Sequence, residues 1–178
     1  AASQIVIGLN TIVSRSVNLV ENPAVVSLGS IHGGNRHNII PEEVKLVGTI
    51  RTLDPEQRAL VHKRIKEVAE NIAKSAGAEA KVFIESGYPV TVNNPELTKT
   101  MLPSLQNAIG QSSVSERPVV LGAEDFSYFA REVPGLFFFL GGMEVGKSSF
   151  EVAGNHTPDF YLDESGFING VRAFCQLI

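Results

Sequence analysis

Three stretches of the chain hold side chains suited to chemistry. His156 lies in Gly154-Asn155-His156-Thr157-Pro158-Asp159-Phe160-Tyr161-Leu162-Asp163-Glu164, a polar loop that runs into the last helical pattern. An imidazole at a helix entrance can ligate a metal or carry a proton near neutral pH. A metal site usually takes three or four ligands, and this loop offers one. Asp159 reads as exposed and Asp163 as a helix cap, so an ordinary surface histidine fits the same setting. The second stretch is Gly122-Ala123-Glu124-Asp125-Phe126. Acids just ahead of a helix are favoured by its dipole and its unpaired amides, which makes Glu124 and Asp125 structural caps. They could equally be carboxylates lining a cleft, because open α/β sheets place their sites at strand ends. The third is Asn38, followed by Ile39-Ile40-Pro41, with Arg51 further on. An amide and a guanidinium fork suit a carboxylate ligand. Spacing alone does not bring the two together, and a loop turn plus a surface arginine explains them as well.

The remaining reactive residues point nowhere in particular. His32 and His37 flank a glycine pair, and His62 falls on the solvated side of a helix. Cys175 lies beside an apolar stripe, where core packing is the default. No phosphate loop, nucleophile elbow or paired-histidine metalloprotease helix occurs. The net charge of -4, with no basic run, argues against a nucleic-acid partner. No apolar run reaches the length of a membrane span, so no membrane partner is expected. One cysteine excludes an internal disulfide and fits a reducing compartment, hence a cytoplasmic reading. The chain opens without a methionine or a basic leader, already inside a helical pattern, which reads as a fragment.

The elements that must position these residues follow from periodicity. Residues 2–16 place Ile5, Leu9, Ile12 and Val13 on one helical face. Ala24 to Ile31 and Val44 to Thr52 alternate as strands, with Arg51 on the more polar face of the second. Asp54-Pro55-Glu56-Gln57 has the form of a capping box at a helix start, and Val61, Ile65, Val68 and Ile72 form the stripe behind it. Ala80 to Glu85 alternates as a further strand. Asn93-Asn94-Pro95 opens a new helix carrying Leu97, Met101 and Leu105, with Pro103 predicting a kink or early break. Pro118 to Leu121 reads as a short strand and Leu136 to Leu140 as a strand covered on both faces. The final helix follows Asp163, with Phe167, Val171, Phe174 and Ile178 inward. The order α-β-β-α-β over residues 1–88 is a ferredoxin-like β-α-β-β-α-β unit lacking its first strand. Residues 89–178 read as a second unit with a layered α/β pattern, and each unit is short of a complete fold.

The motifs in series resemble the co-catalytic zinc amidohydrolases and metallopeptidases that include aminoacylase, hippurate hydrolase, auxin-conjugate hydrolase and glutamate carboxypeptidase. The segments concerned are Thr11-Ile12-Val13-Ser14-Arg15, Gly33-Gly34 with Asn38-Ile39-Ile40-Pro41, Gly48-Thr49-Ile50-Arg51-Thr52, Gly87-Tyr88-Pro89, Gly122 to Phe126, Pro134-Gly135, and His156-Thr157-Pro158 leading to Asp163-Glu164. Each is weak alone; their order and spacing across nearly the whole chain are specific. The resemblance implies an α/β catalytic domain with an inserted ferredoxin-like lid that makes a homodimer. Residues 1–88 would be that lid and 89–178 the return into the catalytic domain. It implies His156 as a metal ligand and Asn38 and Arg51 on the substrate's carboxylate. Glu124 and Asp125 would line the cleft, Asp125 as scaffold. It further implies two divalent ions, zinc or manganese, that activate a water for hydrolysis of N-acyl amino acids, with a glutamate base upstream. That glutamate and the other metal ligands are not in this chain, so the chain alone is expected to be inactive. The alternative is a non-catalytic dimerisation or binding module derived from the lid.

Overall fold

A computed structural model describes all 178 residues. Contacts divide the chain into two compact units, Ala1–Val90 with Val120–Ala123, and Thr91–Val119 with Glu124–Ile178.

In unit 1, α1 (Ala2–Ser16), β1 (Ala24–His32), β2 (Lys45–Thr52) and α2 (Pro55–Ser75) follow one another. The strands pair antiparallel, Ala24 opposite Thr52 and His32 opposite Lys45, with an irregularity between Leu28 and Ser30. Strand alternation turns Val26, Leu28, Leu46 and Ile50 toward the helices. Gly48 lies opposite Leu28, where a Cβ would collide with the main-chain oxygen of Ser27, so the close pairing requires glycine. The core joins Ile5, Leu9 and Ile12 of α1 to Val61, Ile65, Ala69 and Ala73 of α2. Gly8 lets the two helices approach, since a Cβ there would stand 2.7 Å from Ile72 Cδ1.

Asp54 caps α2 by accepting the Gln57 amide at 2.7 Å. The expected box is only half made. The Gln57 side chain is buried and donates from Nε2 to the Asn22 carbonyl at 2.6 Å, tying the helix start to the preceding turn. His62 is half-buried, not solvated. Desolvation, then the nearby Arg58 and Lys66 charges, lower its pKa below the usual histidine value.

The strand expected at Ala80–Glu85 does not form. Ala80, Val82 and Ile84 pack against the core while Phe83 is 88% exposed, so the alternation is real. No strand edge meets it in register, and the sheet keeps two strands, β1 and β2. Alternation chooses the face a segment presents; ladder partners must come from elsewhere.

Unit 2 holds α3 (Pro95–Ile109), α4 (Phe126–Glu132) and α5 (Phe167–Leu177), with α3 packed on α5. Asn94 caps α3 by accepting the Leu97 amide at 2.9 Å. The helix runs unbroken through Pro103, against expectation. Pro103 removes one internal donor but does not stop the run. Neither Pro118–Leu121 nor Leu136–Leu140 is a strand. The latter is not covered on both faces, since Phe139 and Leu140 are exposed. Asn93 explains how this apolar run is held. Its side chain accepts the Phe137 amide at 2.7 Å and donates to the Phe137 carbonyl at 2.8 Å, standing in for a strand partner. Phe126, Phe137 and Phe139 form a ring series, and the Arg117 guanidinium lies 4.3 Å from the Phe139 ring centroid.

The last helix is rotated from expectation. Gly170 and Ala173 are buried, whereas Phe167, Val171, Phe174 and Ile178 are exposed. Cys175 is exposed too, not packed in a core. The smallest residues on α5 permit close packing, and Gly170 sits so near Leu140 that an added Cβ would stand 3.0 Å from Leu140 Cδ2.

Candidate functional site

Asn38 is exposed within the turn-rich connection between β1 and β2. That connection meets the sheet at the His32–Lys45 pair, while Arg51 pairs with Val25 toward the other end. Six residues of strand separate Lys45 from Arg51, a rise of about 20 Å. No hydrogen bond joins the Asn38 side chain to Arg51. The Arg51 guanidinium is committed instead to main chain: Nη1 donates to the Leu121 carbonyl at 2.6 Å.

In unit 2, the turn into α4 fixes Glu124 and Asp125. The Ser127 hydroxyl and amide both donate to the Glu124 carbonyl, at 2.5 and 3.2 Å, and Ser127 is fully buried. The Asp125 carbonyl accepts the Tyr128 amide at 3.0 Å. Asp125 stands at the N-cap position with helical φ and ψ, and its side chain makes no cap bond. The capping expected of these acids is therefore not made, and Ser127 instead holds the turn by donating to the Glu124 carbonyl. Glu124 is half-buried and Asp125 exposed, and neither carboxylate is held in a hydrogen bond or ion pair.

His156 occupies a loop organised by its neighbours. The Thr157 hydroxyl donates to the Gly154 carbonyl at 2.7 Å, and the Phe160 amide to the Thr157 carbonyl at 3.2 Å. His156 itself has φ of 66°, the one non-glycine residue with a positive value. Its ring is exposed. Further on, Asp163 accepts the Ser165 amide at 2.9 Å in the short 3-10 turn before α5, the cap that the sequence suggests. The Ser165 hydroxyl and then its amide hold the Asp163 carboxyl below the ordinary value. The Asp163 amide donates to the Gly142 carbonyl at 2.8 Å, which closes the loop at its base. Asp163 is thus occupied as a cap. No three His, Cys, Asp or Glu side chains converge as a metal cage. One exposed imidazole does not fit a two-metal centre, and no catalytic step is assigned to a metal held by this chain alone.

Sequence reasoning passed over Ser127, Asn93 and the Arg51–Leu121 bond. Ser127 lies two residues after Asp125 and resembles any small helix residue. Asn93 sits in a cluster of turn formers, which hides that its amide can both donate and accept. The Leu121 acceptor is main chain and carries no side-chain signal.

The profile of "Peptidase family M20/M25/M40" matches residues 4–178. Thermostable carboxypeptidase 2 of Saccharolobus solfataricus is 38% identical over 175 residues, covering 98% of this chain and 43% of the relative. N-acetyldiaminopimelate deacetylase of Streptococcus thermophilus is 37% identical over 142 residues, 79% of this chain and 37% of the relative. A crystal structure from Bacillus subtilis, described as a dinuclear metal-binding peptidase of the M20 family, superposes with a TM-score of 0.72 at 28% identity, over 99% of this chain and 44% of that one. The chain therefore spans less than half the length of these proteins.

Proposed function

The chain belongs to peptidase family M20/M25/M40, and on that premise we propose that the natural protein is a metal-dependent hydrolase of amide bonds in N-acyl amino acids or similar small conjugates. The observation that carries the reading is the match over residues 4–178, which runs through every segment discussed above. A carboxypeptidase and a deacetylase of an N-acetyl compound among the relatives support amide cleavage. The dinuclear metal in the name of the superposed peptidase supports two divalent ions; zinc or manganese is our reading.

In this proposal His156 supplies one metal ligand and Asn38 meets the substrate's carboxylate, with Arg51 facing the same region. Glu124 and Asp125, whose carboxylates are uncommitted, line the cleft, Asp125 as scaffold. Residues 1–88 act as a ferredoxin-like lid that makes a homodimer, and the protein works in the cytoplasm. The remaining ligands and the general base are supplied by sequence that this chain does not carry.

The test is release of free amino acid from N-acetyl and N-benzoyl amino acids. The natural protein with added zinc or manganese is expected to turn over, to stop on chelation, and to lose activity in His156→Asn. The 178-residue chain assayed alone is expected to be silent. Absence of turnover by the natural protein on every such substrate would overturn the hydrolase reading. Turnover by the chain alone would overturn the division of the site. Size-exclusion chromatography of the natural protein at several concentrations checks the dimer, and a monomer throughout would remove it.

A further inference from the structure

Arg51 lies on β2 with its side chain on the exposed face. Its Nη1–Leu121 carbonyl bond, at 2.6 Å, links residues 70 apart in sequence. The acceptor lies in Val120–Ala123, the one segment beyond Val90 that groups with unit 1. That segment has no helix or strand of its own, so no regular ladder holds it, and Val120 and Gly122 are exposed. A guanidinium is always charged, and a charged donor bonds a carbonyl more strongly than a neutral one. We propose that Arg51 is a positioning residue that fastens Val120–Ala123 to the β-sheet of unit 1 through the Leu121 carbonyl.

The role is distinct from meeting a substrate carboxylate, and it holds whether or not the natural protein is a hydrolase. It also changes what a substitution at Arg51 reports. Loss of the guanidinium releases a main-chain segment three residues ahead of Glu124, so an activity change in Arg51→Ala would not by itself identify a substrate contact.

Limited proteolysis of the chain with a protease of broad specificity tests the fastening directly, with cleavage mapped over 119–125 and α2. Arg51→Ala is expected to speed cleavage at 120–123 by about tenfold or more, the range of one hydrogen bond to a charged group lost, with cleavage in α2 unchanged. Arg51→Lys retains a charged donor on a long stem and should restore part of that resistance, whereas Arg51→Met should not. Unchanged cleavage at 120–123 in Arg51→Ala would overturn the proposal. A rise spread equally over α2, or equal behaviour of the Lys and Met variants, would do the same.

Discussion

The stripe of α2 in unit 1, Val61, Ile65, Ala69 and Ala73, meets Ile5, Leu9 and Ile12 across the helix pair and closes over the inner face of the sheet. In unit 2, α5 has an apolar stripe of comparable quality, yet it turns Gly170 and Ala173 inward and leaves Val171 and Phe174 58% and 61% exposed. Leu105 and Ala173 are the buried hydrophobic residues of unit 2, while unit 1 has eight, Ala24 among them. The two units share a similar apolar supply and differ in whether neighbouring elements cover it. Periodicity reports the stripe; burial needs a partner. A helix packed through glycine and alanine gains close backbone approach but removes little apolar area from water.

The sharpest way to break this comparison is a matched pair of truncations. Ile12→Ala in unit 1 should cost about 2–5 kcal/mol, as for other buried isoleucines. Val171→Ser in unit 2 should stay within about 0.5 kcal/mol, as for exposed positions. Urea unfolding of each variant reads both, and equal losses would abolish the distinction. Next in size, Asn93→Ala should destabilise unit 2 by about 1–3 kcal/mol, because the Phe137 amide and carbonyl both lose their partner. Proteolysis or exchange near Phe137 should show the effect there and not in α1 or α2.

The caps compare the units at a smaller scale. Asp54→Ala and Asn94→Ala should each cost about 1 kcal/mol, the first read in α2 exchange and the second in α3. A much larger loss for Asp54→Ala would mean that the Gln57–Asn22 bond fails along with it. The smallest effect is a pH dependence. His62 has a folded pKa below its unfolded value, so the unfolded chain binds the proton more readily. Stability is therefore full above the unfolded value near 6.5 and falls as the pH drops through it toward the lowered folded pKa. Replacing His62 by Gln should flatten the thermal midpoint between pH 7 and 5. An unchanged slope would assign that dependence to other groups.

Much of unit 1 was legible because its signals are local and agree with one another. The capping aspartate, the first-turn proline and the α2 stripe all point to one helix, and strict alternation gives β2 its two faces. Ala80–Glu85 shows the limit, since its alternation holds but its pairing fails for want of an edge. In unit 2 the phenylalanine run misleads, because apolar content implies burial only if covering layers exist. The candidate site residues are legible as types and not as a constellation. His156, Glu124 and Asp125 were found by chemistry-bearing side chains, but what fixes their backbone is Ser127, Thr157 and a carbonyl network. Those partners are set by φ, ψ and tertiary contact, which no spacing records.

The left-handed backbone of His156 separates what folding wants at that position from what the position retains. A residue with a Cβ costs about 1 kcal/mol there, and glycine would adopt the same angles freely. His156→Gly should therefore keep or raise the melting temperature while it removes the imidazole. Asparagine, which tolerates this region, isolates loss of the ring from relief of the backbone, whereas alanine confounds the two. If His156 is the metal ligand proposed above, that role carries a backbone cost which glycine would not incur.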